Sequence, residues 1–322
     1  MRILVAGAGG YLGGRISLHL ASQGHQVSVL VHHHLPTGAS EWSTKMDRVI
    51  VGDARNRDVL LSTMENEIDC IIYTIALKQN DSNNDLYTSL SVNMGILWTL
   101  LELCARKGTV KLLYLSTVQV YGLYPTGEPI HETAPLLAVK PYGLTHKFCE
   151  DLCSLYTTER GLDCISLRIS NGLGAPAFSP ANCWQFMATG LCKSATEKEG
   201  IRLQSDGTLQ RDIIDVSDIC RAVELLATSP TSRVRYRQYN LCSGRTSTVL
   251  ELAHEIADVY EDKYHKHCPV VFPDGSVSPN AVRHKDIPRF TYDTERLQSL
   301  GVTAFVDLHT SINEVLNYLE AQ

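Results

Sequence analysis

Seven residues near the start of the chain, Gly7-Ala8-Gly9-Gly10-Tyr11-Leu12-Gly13, constrain its fold more than any other stretch. They follow Ile3-Leu4-Val5-Ala6, a short apolar run that reads as a strand. They precede a helix-like segment over about 12–23, which stops at Gly24. Glycine allows the tight turn and lets backbone N–H groups approach a pyrophosphate, which the amino-terminal end of the following helix stabilises. Strand, turn and helix in this order point to a dinucleotide site built from Gly7, Gly9, Gly10, Tyr11, Leu12 and Gly13.

The pattern continues along the first half. Apolar runs at 26–31, 49–51, 70–74, 112–116 and 164–168 alternate with longer amphipathic stretches. Strands alternating with helices predict βαβ units and a parallel sheet covered on both faces. The expected fold is therefore α/β: a Rossmann-type doubly wound parallel sheet with a smaller mixed α/β lobe. At 322 residues the chain has room for both. Pro176, Pro180, Pro230, Pro269, Pro273, Pro279 and Pro288 punctuate the second half, which suits loops. The expected division is 1–170 plus 211–245 for the dinucleotide-binding domain, and 171–210 plus 246–322 for the lobe that takes the substrate.

Composition excludes several alternatives. The formal charge is −6 with no basic block, which argues against nucleic acid or an anionic membrane as partner. No uninterrupted apolar run reaches the ~18 residues of a membrane span. The ten cysteines are scattered, with no C-x-x-C pair and no metal-ligand spacing. They read as reduced thiols in a cytoplasmic protein with no bound metal. A strand beginning at Ile3 leaves no space for a removable leader, so none is expected.

The end of the second strand usually carries an acid that holds the adenosine ribose of NAD. Here it reads His32-His33-His34 instead. A neutral or cationic end tolerates a 2′-phosphate better than a carboxylate would. The cofactor is thus expected to be NADP or NAD, with a lean to NADP and with His32 and His33 near the phosphate. A solvated histidine loop explains the same run. Gly52-Asp53-Ala54 closes the third strand, where Asp53 can accept from the adenine amino group or cap the next helix.

Four further segments complete the pattern: Leu115-Ser116-Thr117-Val118-Gln119-Val120-Tyr121-Gly122, Pro141-Tyr142-Gly143, Leu167-Arg168-Ile169-Ser170-Asn171-Gly172-Leu173-Gly174 and Arg211-Asp212-Ile213-Ile214-Asp215-Val216-Ser217-Asp218. With the glycine turn, and with Tyr239-Asn240-Leu241 and Ser243-Gly244, they resemble the ordered motifs of the extended short-chain dehydrogenase/reductases. That family includes nucleotide-sugar epimerases. The resemblance implies that Thr117 hydrogen-bonds the reacting sugar oxygen and that Tyr142 is its general acid/base. It implies that Asp53 and Ala54 meet the adenine, and that Lys78 and Asn93 lie along the cofactor. It assigns Asn171 and Arg211 to the substrate's diphosphate, with Arg283 further along in a loosely spaced stretch. Arginine suits that task because its planar fork binds phosphate through two parallel hydrogen bonds. The resemblance also implies a homodimer formed by helices over 93–106 and 142–156. Leu97, Leu100, Leu101 and Cys104 make a stripe there at helical spacing, which core packing explains equally.

One departure stands out. The family has lysine four residues after the tyrosine. Here that position is His146, and Lys147 follows. Residues i and i+4 share a helix face, whereas i+5 lies a further ~100° round. Either His146 performs the lysine's task, or a π-bulge brings Lys147 in, or the redox step is impaired. A cation at ~4 Å is worth roughly 4 kcal/mol at an effective dielectric of 20. A neutral histidine offers only a hydrogen bond, about 1 kcal/mol net. Val118-Gln119 stands where the family's dehydratases carry acids, so dehydration is not expected. The expected activity is oxidoreduction or 4-epimerisation of a nucleotide-linked sugar by hydride transfer. The alternatives are a dinucleotide-binding regulatory or scaffold protein with a degenerate site, and a reductase of a non-sugar carbonyl.

Overall fold

The first strand, β1 (Arg2–Ala6), lies inside a sheet rather than at its edge. Its residues alternate between two buried faces. Ile3 and Val5 enter one core, Leu4 and Ala6 the other. A strand buried on both sides must be apolar throughout, which is why this one reads as an unbroken run. The computed structural model describes residues 1–35, 38–108, 110–122, 127–179, 183–197, 200–279 and 289–322.

Seven strands form the main sheet in the order β10-β6-β5-β4-β1-β2-β3. These are β2 (Gln26–Val31), β3 (Arg48–Val51), β4 (Cys70–Tyr73), β5 (Lys111–Thr117), β6 (Asp163–Ile169) and β10 (Gln238–Leu241), with β1. Every pairing is parallel. The expected Rossmann-type fold is present. Helices α1 (Tyr11–Ser22), α2 (Ser40–Ser43) and α3 (Arg57–Thr63) make the first three crossovers. The fourth contains α4 (Gln79–Asn84), α5 (Leu86–Ser89), a π-helical stretch Leu90–Gly95 and α6 (Ile96–Lys107). The fifth contains α7 (Pro141–Arg160), which starts with proline at a first-turn position and ends at left-handed Gly161.

The stretch Leu86–Lys107 is long and apolar enough to cross a membrane by length and composition alone. Leu97, Leu100, Leu101 and Cys104 instead pack against Ile71, Tyr73 and Leu112 in the protein core. The apolar stripe of α6 therefore covers the sheet.

Two small sheets build the second lobe. One has the order β11 (Thr246–Thr248), β9 (Gln210–Asp215), β7 (Asn171–Leu173), and the other pairs β12 (Val270–Val271) with β8 (Ile201–Arg202). Around them lie α8 (Met187–Glu197), α10 (Val249–Tyr264) and α12 (Leu308–Glu320), which share a core through Leu191, Ile256, Ile312 and Leu316. Helix α9 (Val216–Thr228) returns to the main sheet beside α1. Leu297 of α11 (Glu295–Ser299), with Leu300 and Val302, also packs into the main core, although they fall within the stretch 246–322.

Candidate active site

The glycine turn is shaped for close approach. Gly7 has φ +94°, and a Cβ there would lie 2.6 Å from the Thr74 Oγ1. A Cβ on Gly13 would lie 2.4 Å from the Gly7 carbonyl oxygen. Gly10 caps α1 without a side-chain bond. The first-turn amides of Tyr11, Leu12 and Gly13 have no carbonyl one turn back inside the helix, so they are free to serve an anion. Gly9 completes the turn. The Tyr11 hydroxyl donates to the Gly174 carbonyl at 2.6 Å and so ties the turn to the second lobe. With no room for side chains at Gly7 and Gly13, this close-packed turn fits a dinucleotide pyrophosphate.

At the far end of the cradle, β2 and β3 deliver His32, His33 and Asp53 to one place. The two imidazoles lie 3.5 Å apart by ring centroid, and the His32 Nε2 is 3.8 Å from Asp53. Arg55 donates to both Asp53 oxygens, with its closest nitrogen at 2.6 Å. Its guanidinium holds the Asp53 carboxyl far below the usual carboxylate range. Asp53 does not cap the next helix, because Asn56 fills that position and accepts from the Asp58 amide. Ala54 is buried beside it. Arg55 was not singled out from the sequence; its position two residues past Asp53 was the available signal.

The two residues expected to act on the substrate, Thr117 and Tyr142, meet near the end of β5. Thr117 is its last residue and accepts from the Gln119 amide at 3.3 Å. Tyr142 lies in the first turn of α7, its amide donating to the Asn83 side chain. Gly143 permits this approach, since a Cβ there would lie 2.6 Å from the Gln119 carbonyl oxygen. The Thr117 hydroxyl stands beside the Tyr142 phenol and favours its ionised form. The tyrosine keeps part of its surface open, yet burial of the phenol pushes its pKa up to about 12, against the opposing effect of Thr117.

His146 lies one turn further on and is 2% exposed. Its ring stands edge-on to that of Tyr142, with centroids 4.6 Å apart. Its Nδ1 is 2.6 Å from the Tyr114 hydroxyl, while its Nε2 is buried and has no partner among the described residues. Burial pushes its pKa down to about 4, so the imidazole is neutral near pH 7. Helix α7 is regular over its whole length, and Lys147 points away to Asp151 at 2.7 Å. The bulge that would bring Lys147 into the site does not form. The π stretch lies in the preceding crossover and positions Asn93 instead.

Asn93 is buried. It accepts from the Leu77 amide at 2.7 Å and donates to Thr145 at 3.0 Å, so it braces the crevice wall against α7. Lys78 caps α4 beside it with its backbone. On the second lobe, Asn171 donates to the Asp212 carbonyl at 2.9 Å. Arg211, on the adjacent strand, bonds the Gln210 carbonyl and forms no ion pair among the described residues. Burial pushes its pKa down. A desolvated guanidinium without a carboxylate is a receptor for an anion. Arg283 lies outside the described residues. The structure also reveals a buried lattice that sequence reading missed. Glu150 of α7 takes Arg168 of β6 at 2.7 Å and Ser116 of β5 at 2.5 Å, clamping α7 onto the sheet two turns beyond Tyr142.

The geometry agrees with comparisons to known proteins. Residues 3–242 match the model of the NAD dependent epimerase/dehydratase family. The chain belongs to that family. It is 29% identical over 300 residues to UDP-glucose 4-epimerase 1 of Oryza sativa subsp. japonica, covering 84% of this chain and 82% of that protein. It is 27% identical over 300 residues to the UDP-glucose 4-epimerase of Bacillus subtilis, covering 85% of each chain. The crystal structure of a Thermus thermophilus UDP-glucose 4-epimerase complex with NAD superposes with a TM-score of 0.82 at 24% identity, covering 99% of each chain.

Proposed function

We propose that this protein is an NAD(P)-dependent 4-epimerase or 4-ketoreductase of a nucleotide-linked sugar. The neighbouring Thr117 and Tyr142 hydroxyls, at the sheet end that also carries the glycine cradle, are the observation that carries this reading. A nicotinamide dinucleotide held along Gly7–Gly13 would supply the hydride acceptor and donor. The chain's own residues handle the proton. With its pKa pushed up to about 12, the Tyr142 phenol keeps its proton near neutral pH and is set to donate it to a sugar oxygen. Thr117 stands beside the phenol and opposes the upward shift. Neutral His146 packs the helix turn behind it and supplies no charge. Arg211 and Asn171, on neighbouring strands, face the same side of the second lobe and suit a diphosphate.

Three finer readings belong here. Arg55, His32 and His33 around Asp53 support NADP over NAD, because cationic and neutral donors replace the ribose-binding acid. Exposed Trp98 of α6, with Phe148 and Leu155 of α7, supports a homodimer through those helices. All ten cysteines are free thiols, which supports a reducing, cytoplasmic setting.

The test is turnover. Purified protein with UDP-glucose or UDP-galactose and either nicotinamide cofactor is expected to interconvert the sugars or to reduce the 4-keto form. Tyr142→Phe is expected to stop this while cofactor still binds. Cofactor binding without turnover across a panel of nucleotide sugars would favour a binding protein instead.

A further inference from the structure

Helix α7 and strand β6 meet at a second chemically distinctive place, on the far stretch of the helix from Tyr142. Cys153 of α7 and Cys164 of β6 are 3% and 2% exposed, and each thiol shifts the other's proton affinity, so the two are neighbours. A cleft of about 240 Å³ opens beside them, lined by both cysteines together with Ser154, Thr157, Ser166 and Arg237. Neither thiol takes part in the chemistry proposed above.

The two sulfurs are not equivalent. The neighbouring Cys153 thiol favours the ionised form of Cys164, with smaller contributions from Thr157 and the Arg237 guanidinium, while the Thr157 hydroxyl proton goes to the Cys153 carbonyl at 2.9 Å. Burial opposes this, and so does Asp163, although Arg237 is paired with it. Together these groups hold the Cys164 thiol below its ordinary value, whereas Cys153 is raised. Burial raises the other eight cysteines as well. A thiol held below its ordinary value beside a second thiol, at a cleft that opens to solvent, is the arrangement that reacts and then resolves.

We propose that Cys153 and Cys164 form an oxidisable dithiol, converted to a disulfide by hydrogen peroxide entering through this cleft. The Cys164 thiolate attacks one peroxide oxygen, giving a sulfenic acid and a hydroxide that takes up a proton to become water. The Cys153 sulfur then displaces the sulfenic oxygen, which leaves with two protons as a second water. Two thiols are oxidised by two electrons in total, and one peroxide is reduced to two waters. The new bond joins the helix that carries Tyr142 and His146 to the sheet.

The experiment treats the full-length folded protein with a few equivalents of hydrogen peroxide. Titration of denatured protein is expected to show loss of two of the ten thiols. Peptide mapping is expected to find the Cys153–Cys164 cross-link, and dithiothreitol to restore both thiols. Cys153→Ser is expected to leave a sulfenic acid at Cys164 that dimedone traps. Ten thiols surviving, loss first at other cysteines, or single cysteines carried directly to sulfinic acid would overturn the proposal. The wild-type map decides the matter even if the variant does not fold.

Discussion

Replacing His146 with lysine tests how the chain manages without the cation expected four residues after Tyr142. The imidazole is neutral, and its ring centroid lies 4.6 Å from that of Tyr142. A lysine ammonium at that separation would stabilise a phenolate by roughly 3.6 kcal/mol at an effective dielectric of 20. That corresponds to about 2.6 pH units, which would bring the Tyr142 phenol from about 12 down to roughly 9. The ionised fraction near neutrality would rise by up to roughly 400-fold. Desolvation of the new ammonium offsets part of this, so the expected gain is between ten- and a hundredfold in a step that needs the phenolate. The assay is the pH dependence of kcat/KM from pH 6 to 10 for wild type and His146→Lys. The basic limb of the variant should move to lower pH and its rate at pH 7.5 should increase in the sugar-oxidising direction. Identical limbs and rates in the two proteins would show that position 146 does not set the charge on Tyr142, and the reasoning would fail.

The same histidine makes stability depend on pH. Its folded value is about 4 against an ordinary 6.5, so the unfolded chain binds the extra proton between these values. Stability from this group is complete above pH 6.5 and declines by about 3 kcal/mol as pH falls to 4. Denaturant titrations of wild type and His146→Leu should show the difference, and parallel pH dependences would contradict it. Glu150→Gln removes the carboxylate from a buried pair whose side chains are 4% exposed, leaving Arg168 uncompensated. A loss of about 3–5 kcal/mol in urea unfolding is expected; a loss below 1 would remove the lattice from the account. Gly13→Ala forces a methyl to 2.4 Å from the Gly7 carbonyl oxygen. Calorimetry should find dinucleotide affinity lost at a stability cost of about 1–3 kcal/mol, with Lys147→Ala, on the outer face, as a control that leaves affinity unchanged.

The sheet was legible because parallel strands buried on both faces are nearly continuous apolar runs. The expected strand at 26–31 coincides with β2, and 70–74 overshoots β4 by one residue. The helix expected over 142–156 extends to Arg160, since a single glycine after an amphipathic run is the stop and Gly161 lies beyond Tyr156. What escaped is tertiary in origin. Hydrophobic period does not separate a π turn from an α turn, so the segment holding Asn93 was invisible. Asp53 was read as a possible cap, but Arg55 takes the carboxylate and Asn56 caps instead. The protonation state of His146 depends on burial contributed by β5 and the fourth crossover, which no spacing within α7 reveals.

The account rests on hydride passing between the sugar carbon and a bound nicotinamide, and a nucleotide sugar deuterated at C4 follows that transfer directly. Mass spectrometry of the two sugars after turnover should find the deuterium still on C4, or recovered on the nicotinamide if the cofactor leaves. Deuterium lost to water at the rate of turnover would mean that a proton, not a hydride, leaves the sugar.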